Sequence, residues 1–160
     1  MILRSAVPSD ADALWAILEP ILRAGETYAL PRDWERGEAL DFWTAPPHRA
    51  FVADVEGRVL GSYYLQANQR GGGDHVANCG FAVHAAAGGR GIARAMAAHA
   101  FETARAAGFT AMQFNCVVAS NARAVALWHR LGFAEVGRIP HGFRHPRLGP
   151  VDALVLHRML

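Results

Sequence analysis

The sequence predicts a mixed α/β (α+β) domain of 160 residues around one central sheet. Two observations carry this. Stretches with strand spacing and stretches with helix spacing follow one another along the whole chain, with no internal repeat and no low-complexity tail, which is the order of a mixed class. The hydrophobic fraction is 52% over a length suited to one domain, so residues 1–160 are expected to close a single core.

A short strand is expected at Ile2 to Ser5. Ser9 and Asp12 resemble a capping box, so a helix should run from Asp10 to Arg23, with Leu14, Ile17, Leu18 and Ile21 as its apolar stripe and Pro20 as a kink or break. Pro31 is placed to open a second helix that Pro46-Pro47 stops. Strands Ala50–Val55 and Arg58–Gln66 flank the hairpin signal Glu56-Gly57. After a flexible Gly71-Gly72-Gly73-Asp74 stretch, His75–Val83 reads as a buried strand, followed by the loop Ala85–Gly91 and a helix Ile92–Ala107 that Gly108 ends. Phe109–Val118 is a strand, and Ser120 or Asn121 caps a helix to Leu131. Phe133–Ile139 and Val151–Met159 are the last strands, with Pro140–Pro150 a loop between them.

Composition narrows the function. No apolar run approaches the ~20 residues of a membrane span. Met1-Ile2-Leu3-Arg4 lacks a signal-peptide layout, so a cytoplasmic protein without membrane contact is expected. Net charge is +2 and the basic residues are spread evenly, which argues against nucleic acid as a partner. All 16 basic residues are arginine, which removes lysine Schiff-base chemistry and the usual nucleotide P-loop. Cys79 and Cys116 form no Cys-x-x-Cys pair and read as small buried hydrophobes. His141 and His145 lie four apart without a cysteine or carboxylate pattern, so no metal is expected.

Gly88-Gly89-Arg90-Gly91-Ile92-Ala93 sits between a strand and a helix. Free N–H groups and partial positive charge at the helix start suit a pyrophosphate, and Arg90 and Arg94 add charge. The dinucleotide pattern G-x-G-x-x-G fails, because Arg94 stands at its third glycine. A second block reads Asn121-Ala-Arg-Ala124-Val-Ala-Leu127-Trp128-His-Arg-Leu131-Gly132-Phe133. Together the blocks resemble the GNAT family of CoA-dependent N-acetyltransferases. Gly91 and Ala93 match its R/Q-x-x-G-x-G/A loop, with Gly88 in place of Arg or Gln. Asn121, Ala124, Leu127, Gly132 and Phe133 match N-x-x-A-x-x-L-Y-x-x-x-G-F.

The resemblance covers about Val52 to Val136. It implies parallel strands that splay apart near Val83 and Val118, acetyl-CoA as cosubstrate, an amine acceptor entering from the opposite side, and a homodimer. It assigns Val83, Gly88, Gly89, Arg90, Gly91, Ile92, Ala93, Arg94, Asn121 and Trp128 to the cosubstrate. The family's glutamate position holds Asn78, which accepts no proton at pH 7, and its tyrosine position holds Trp128. The runs His75–Phe81 and Phe114–Val118, with Val151-Asp152-Ala153, look similar to a branch acting on proline-like imino acids such as azetidine-2-carboxylate. That branch has asparagine at both the Asn78 and Asn115 positions, so these two are the catalytic candidates.

Bound to backbone, both would be structural instead. His75 with Asp74 is a second candidate base, and Tyr28, Trp34, Phe42 and Trp43 belong either to the acceptor pocket or to the core. A small amino- or imino-acid-like amine is the expected acceptor. The alternatives are a protein N-terminus, an antibiotic, or acetyl-CoA sensing without turnover.

Overall fold

The computed structural model describes residues 1–160. Seven strands form one sheet: β1 (Ile2–Ser5), β2 (Arg49–Val55), β3 (Arg58–Ala67), β4 (Val76–Val83), β5 (Ala111–Val118), β6 (Ala134–His145) and β7 (Gly149–Met159). Their order across the sheet is β1-β2-β3-β4-β5-β7-β6. Only β4 and β5 run parallel; every other neighbouring pair is antiparallel. Four helices, α1 (Ala11–Ala24), α2 (Arg36–Thr44), α3 (Ile92–Ala106) and α4 (Ala122–Arg130), cover the two faces.

Alternation along the strands divides the core in two. Phe51, Ala53, Tyr63, Leu65, Ala77 and Cys79 pack with α3 and with Trp128 of α4. Val52, Tyr64 and Ala82, one residue out of step, pack with Leu14, Ile17, Leu18 and Leu22 of α1 and with Ala39 and Trp43 of α2. The stripe on α1 thus adds Leu22 to the expected residues, with Ile21 half-buried against the same cluster, and the helix runs through Pro20 unbroken.

Glu56 and Gly57 turn the β2–β3 hairpin with φ of 55° and 78°, the left-handed pair a tight primed turn needs. The β4–β5 ladder holds only at Val76↔Ala111 and Ala77↔Met112, and the strands separate beyond it.

Four expectations are corrected. The α1 cap is not Ser9 with Asp12. Residues Pro8–Asp10 form a single 3-10 turn, and Asp10 accepts the Val7 N–H at 2.8 Å and the Arg4 guanidinium at 2.8 and 2.9 Å. Pro31 does not open α2, which begins at Arg36, where the Glu38 carboxylate takes the Glu35 N–H at 2.9 Å. Most of Pro140–Pro150 is strand. Its Gly and Pro content reads as loop, but Pro140 falls in a register slip between Ile139↔Ala153 and Phe143↔Val151, where no ladder N–H is required. Cys116 is exposed, because β5 bulges between Phe114 and Val117, while Cys79 is buried as expected.

Asp10 is 6% exposed and its partners hold its carboxyl below the ordinary value, the Arg4 hydrogen bond most of all. A depressed folded pKa stabilises above the unfolded value near 3.9 and is lost as pH falls through the folded one. Asp10→Ala should therefore cost about 1–3 kcal/mol at neutral pH. The gap from wild type in thermal melts should narrow below about pH 4; a gap that persists at low pH would assign the loss to packing.

Candidate active site

The sheet's gap opens into a cavity of about 1010 Å³. Cross-strand bonds show which β4 groups face the gap. Asn68 N–H donates to Val76 C=O and His84 N–H to Leu60 C=O, so the even-numbered residues of β4 bond to β3. By antiparallel alternation the backbone groups of Cys79, Phe81 and Val83 point the other way, into the slot left by β5. The Tyr28 hydroxyl bears this out, donating at 2.6 Å to the Phe81 carbonyl from the α1–α2 connection.

At one end lies the glycine loop. Gly89 and Gly91 have φ of 81° and 76°, a left-handed conformation that brings the loop's N–H groups to the start of α3. Gly88, Gly89, Gly91, Ile92, Ala93, Arg94, Val83, Asn121 and Trp128 all line the cavity. Arg90, assigned to the same site, does not; it is exposed. Two basic residues of α4, Arg123 and Arg130, take part instead. Neither they nor Arg94 forms an ion pair with a carboxylate. The lining holds no aspartate or glutamate at all. Asn121 spends its Oδ1 on capping α4, accepting the Ala124 N–H at 3.2 Å.

Trp128 is 7% exposed and packs on Phe81, Phe114 and Phe133, with ring centroids 5.0, 4.8 and 5.9 Å away. Its indole N–H has no protein partner, yet no buried polar side-chain atom is left unpaired, so the N–H opens to the cavity. Left-handed glycines at a helix start, uncompensated arginines and a free strand edge fit a pyrophosphate with a peptide-like arm.

The other end belongs to the α1–α2 face. Asn78 and Asn115 both line it. Asn78 donates its Nδ2 to the Gln113 carbonyl at 2.9 Å, bridging β4 to β5 one residue past the end of their ladder. Its Oδ1 accepts nothing from the protein. Asn115 sits in the β5 bulge, accepting from Gln113 Nε2 at 3.0 Å and donating to Asn68 Oδ1 at 2.7 Å. Gln113, Asn68, Tyr64, Arg123 and Arg130 escape sequence reasoning. For Asn68 and Gln113 no local signal exists, whereas the Tyr63-Tyr64 pair in a strand was a legible hint that one ring faces each side.

The proposed aromatic wall divides. Tyr28 and Phe42 line the cavity, Trp43 is 1% exposed in the core beside it, and Trp34 packs on Phe42 outside the lining. His75 and Asp74 are not part of the cavity, because both precede β4 on the exposed turn that enters it. His145 uses Nδ1 to accept the Arg147 and Leu148 N–H groups, and no three potential metal-ligating side chains cluster anywhere in the chain.

A slot through a sheet, with an anion cradle at one end and a neutral amide-lined chamber at the other, defines an acyl-CoA-dependent acyltransferase. The comparisons agree. The chain belongs to the acetyltransferase (GNAT) family, whose model matches residues 12–133. It is 30% identical over 151 residues to N-acetyltransferase aca1 of Schizosaccharomyces pombe, covering 84% of this chain and 72% of that one.

The structure of a GCN5-related N-acetyltransferase from Kribbella flavida superposes with a TM-score of 0.94 at 40% identity, over 99% of this chain and 97% of the other. The fold is shared at 21% identity with yncA of Salmonella typhimurium, a structure that contains its cofactor acetyl-CoA (TM-score 0.86, 100% and 94% covered). The protein is an acetyl-CoA-dependent N-acetyltransferase with a mixed α/β GNAT fold.

Proposed function

We propose that this enzyme acetylates the amine of a small amino- or imino-acid-like molecule by direct attack within a ternary complex. The observation that carries the reading is the charge of the cavity: three arginines, three asparagines and no carboxylate. Such a site disfavours a polycationic acceptor and tolerates an acceptor that brings its own carboxylate. The pair of asparagines and the runs around them support the imino-acid branch. We place the enzyme in the cytoplasm, working as a homodimer.

The acyl donor supplies an activated thioester, held by the loop Gly88–Arg94, Asn121, Arg123 and the open edge of β4. The free N–H groups of Cys79, Phe81 and Val83 are the donors available to negative charge growing on the carbonyl oxygen. The amine must lose its proton, and the cavity offers no carboxylate; its one imidazole, His84, follows β4 on the side of the glycine loop, where its Nδ1 accepts the Ala86 N–H at 3.2 Å. Burial holds Tyr28 and Cys79 protonated by pushing their groups upward. The amine therefore enters as the free base, and Asn78 Oδ1 orients its N–H. With a reference pKa of ~8.5 a thiolate is a tolerable leaving group without a strong acid, and the Trp128 N–H faces it.

An acetyl-CoA screen over imino acids, amino acids and aminoglycosides, following free thiol, tests the reading. Turnover confined to aminoglycosides or peptides would overturn it.

Asn115 anchors the acceptor in ground and transition states alike. Asn115→Ala should raise the acceptor KM roughly tenfold to a hundredfold, with kcat and the acetyl-CoA KM little changed. An unchanged acceptor KM would remove Asn115 from the site.

A further inference from the structure

Tyr64 of β3 is held in place more tightly than the core alone requires. Its ring lies across β4 at Gly80. A Cβ built on Gly80 would stand 2.4 Å from Cε1 and 2.7 Å from Cζ of the ring, so a side chain and this ring exclude one another. Gly80 has an ordinary φ, so the glycine serves the ring and not the backbone.

The ring is also clamped by its neighbours. His48 stacks on it with centroids 4.1 Å apart, while Trp43 and Phe42 meet it edge-on at 4.9 and 5.9 Å. His48 is itself fixed through Nδ1 to the Phe42 carbonyl.

The neighbouring polar groups are already engaged. The Tyr28 hydroxyl is bonded to Phe81 C=O and the Trp43 indole N–H to Ser62 Oγ at 2.8 Å. The Tyr64 hydroxyl has no protein partner. Because no buried side-chain oxygen is left unpaired, it opens to the cavity that Tyr64 lines. Burial pushes its pKa up to about 12, so it remains a neutral donor and acceptor. An immobile ring with one free polar atom recognises shape at little entropic cost.

We propose that Tyr64 is the acceptor-selecting residue: its ring, with Tyr28 and Phe42, receives the compact apolar part of the acceptor, and its hydroxyl hydrogen-bonds the acceptor's polar group. The proposal deepens the function reading and rests on it only for the chemistry of the acceptor. Gly80 acts through Tyr64 as a positioning residue.

The test compares wild type, Tyr64→Phe, Tyr64→Ala and Gly80→Ala on one panel: cyclic imino acids, open-chain amino acids of equal carbon number, and a diamine. Calorimetry of each protein with CoA, and its melting curve, are the controls. Tyr64→Phe should raise the KM of the leading acceptor about tenfold, the effect of one lost hydrogen bond. CoA affinity should be unchanged. Tyr64→Ala should bring the kcat/KM ratio of cyclic to open-chain acceptors at least tenfold closer to one, and Gly80→Ala should follow it.

The wild-type profile alone judges the function reading: a leading diamine would overturn that reading while the change of profile on substitution still judges Tyr64. Should Tyr64→Ala fold poorly, Tyr64→Phe still decides. A folded Tyr64→Phe with the wild-type acceptor KM, or a folded Tyr64→Ala with the wild-type ratio, overturns the proposal.

Discussion

Gly91→Asp should lose CoA affinity by about a hundredfold or more, close to 3 kcal/mol, measured by calorimetry. Two physical effects add. Gly91 has φ of 76°, where any Cβ is strained by about 1–2 kcal/mol. The new carboxylate then sits at the N-terminus of α3, the proposed phosphate site, and repels phosphates bound there. No atom lies within 4 Å of a Cβ at Gly91, so a clash does not contribute. Gly91→Ala separates the two effects, since it carries the strain without the charge and should lose far less affinity. Unchanged CoA binding in a folded Gly91→Asp protein would move the pyrophosphate elsewhere.

Asn78→Ala should lower kcat roughly tenfold to a hundredfold while raising the acceptor KM much less. Its Oδ1 is the free atom facing the acceptor end, and an interaction made only in the attacking geometry appears in kcat. The structure adds a second consequence. The Asn78 Nδ2 to Gln113 carbonyl bond ties β4 to β5 where the ladder ends. Its loss should cost about 1 kcal/mol of stability, visible in a melting curve. The backbone-paired reading of Asn78 is met through Nδ2, and the proposed functional role falls to the other atom of the same amide, Oδ1. A folded, fully active Asn78→Ala would remove Asn78 from the chemistry, and His75 and Asp74 would not replace it, since neither lines the cavity.

The glycine loop, the β4 strand and the capping asparagine of α4 were legible because each is local. Consecutive residues carry the signal, and the helix or turn forms from their own dihedral and hydrogen-bonding preferences. The same holds for Glu56-Gly57. Boundaries failed where a long-range partner overrode local chemistry. Asp10 holds the N-cap position of α1 without a side-chain bond to the helix, because Arg4 on β1 and the Val7 N–H converge on its carboxylate, and Ser9 is left exposed. Pro140 and Gly142 look like loop until Ile139 and Phe143 on either side of them pair with β7. Cys116 reads as core because its neighbours are apolar, and only the bulge on β5 turns it outward.

The sequence by itself determined the class of fold, the glycine-rich loop before α3 proposed as the phosphate cradle, and an asparagine and a tryptophan where the family resemblance implies glutamate and tyrosine. Those are statements about residue types at fixed spacing. Tertiary structure alone decided which groups share the cavity. Tyr64, Asn115 and Arg123 come from three separate elements, Asn68 and Gln113 reach the cavity only through their bonds to Asn115, and Arg90 is absent from the lining although it lies within the loop itself. Strand alternation sends Tyr63 to one core and Tyr64 to the other. The side chain that enters the cavity, and the glycine that makes room for its ring, are set by the pairing of β3 with β4. Neither strand encodes that pairing alone, because register is a property of two strands.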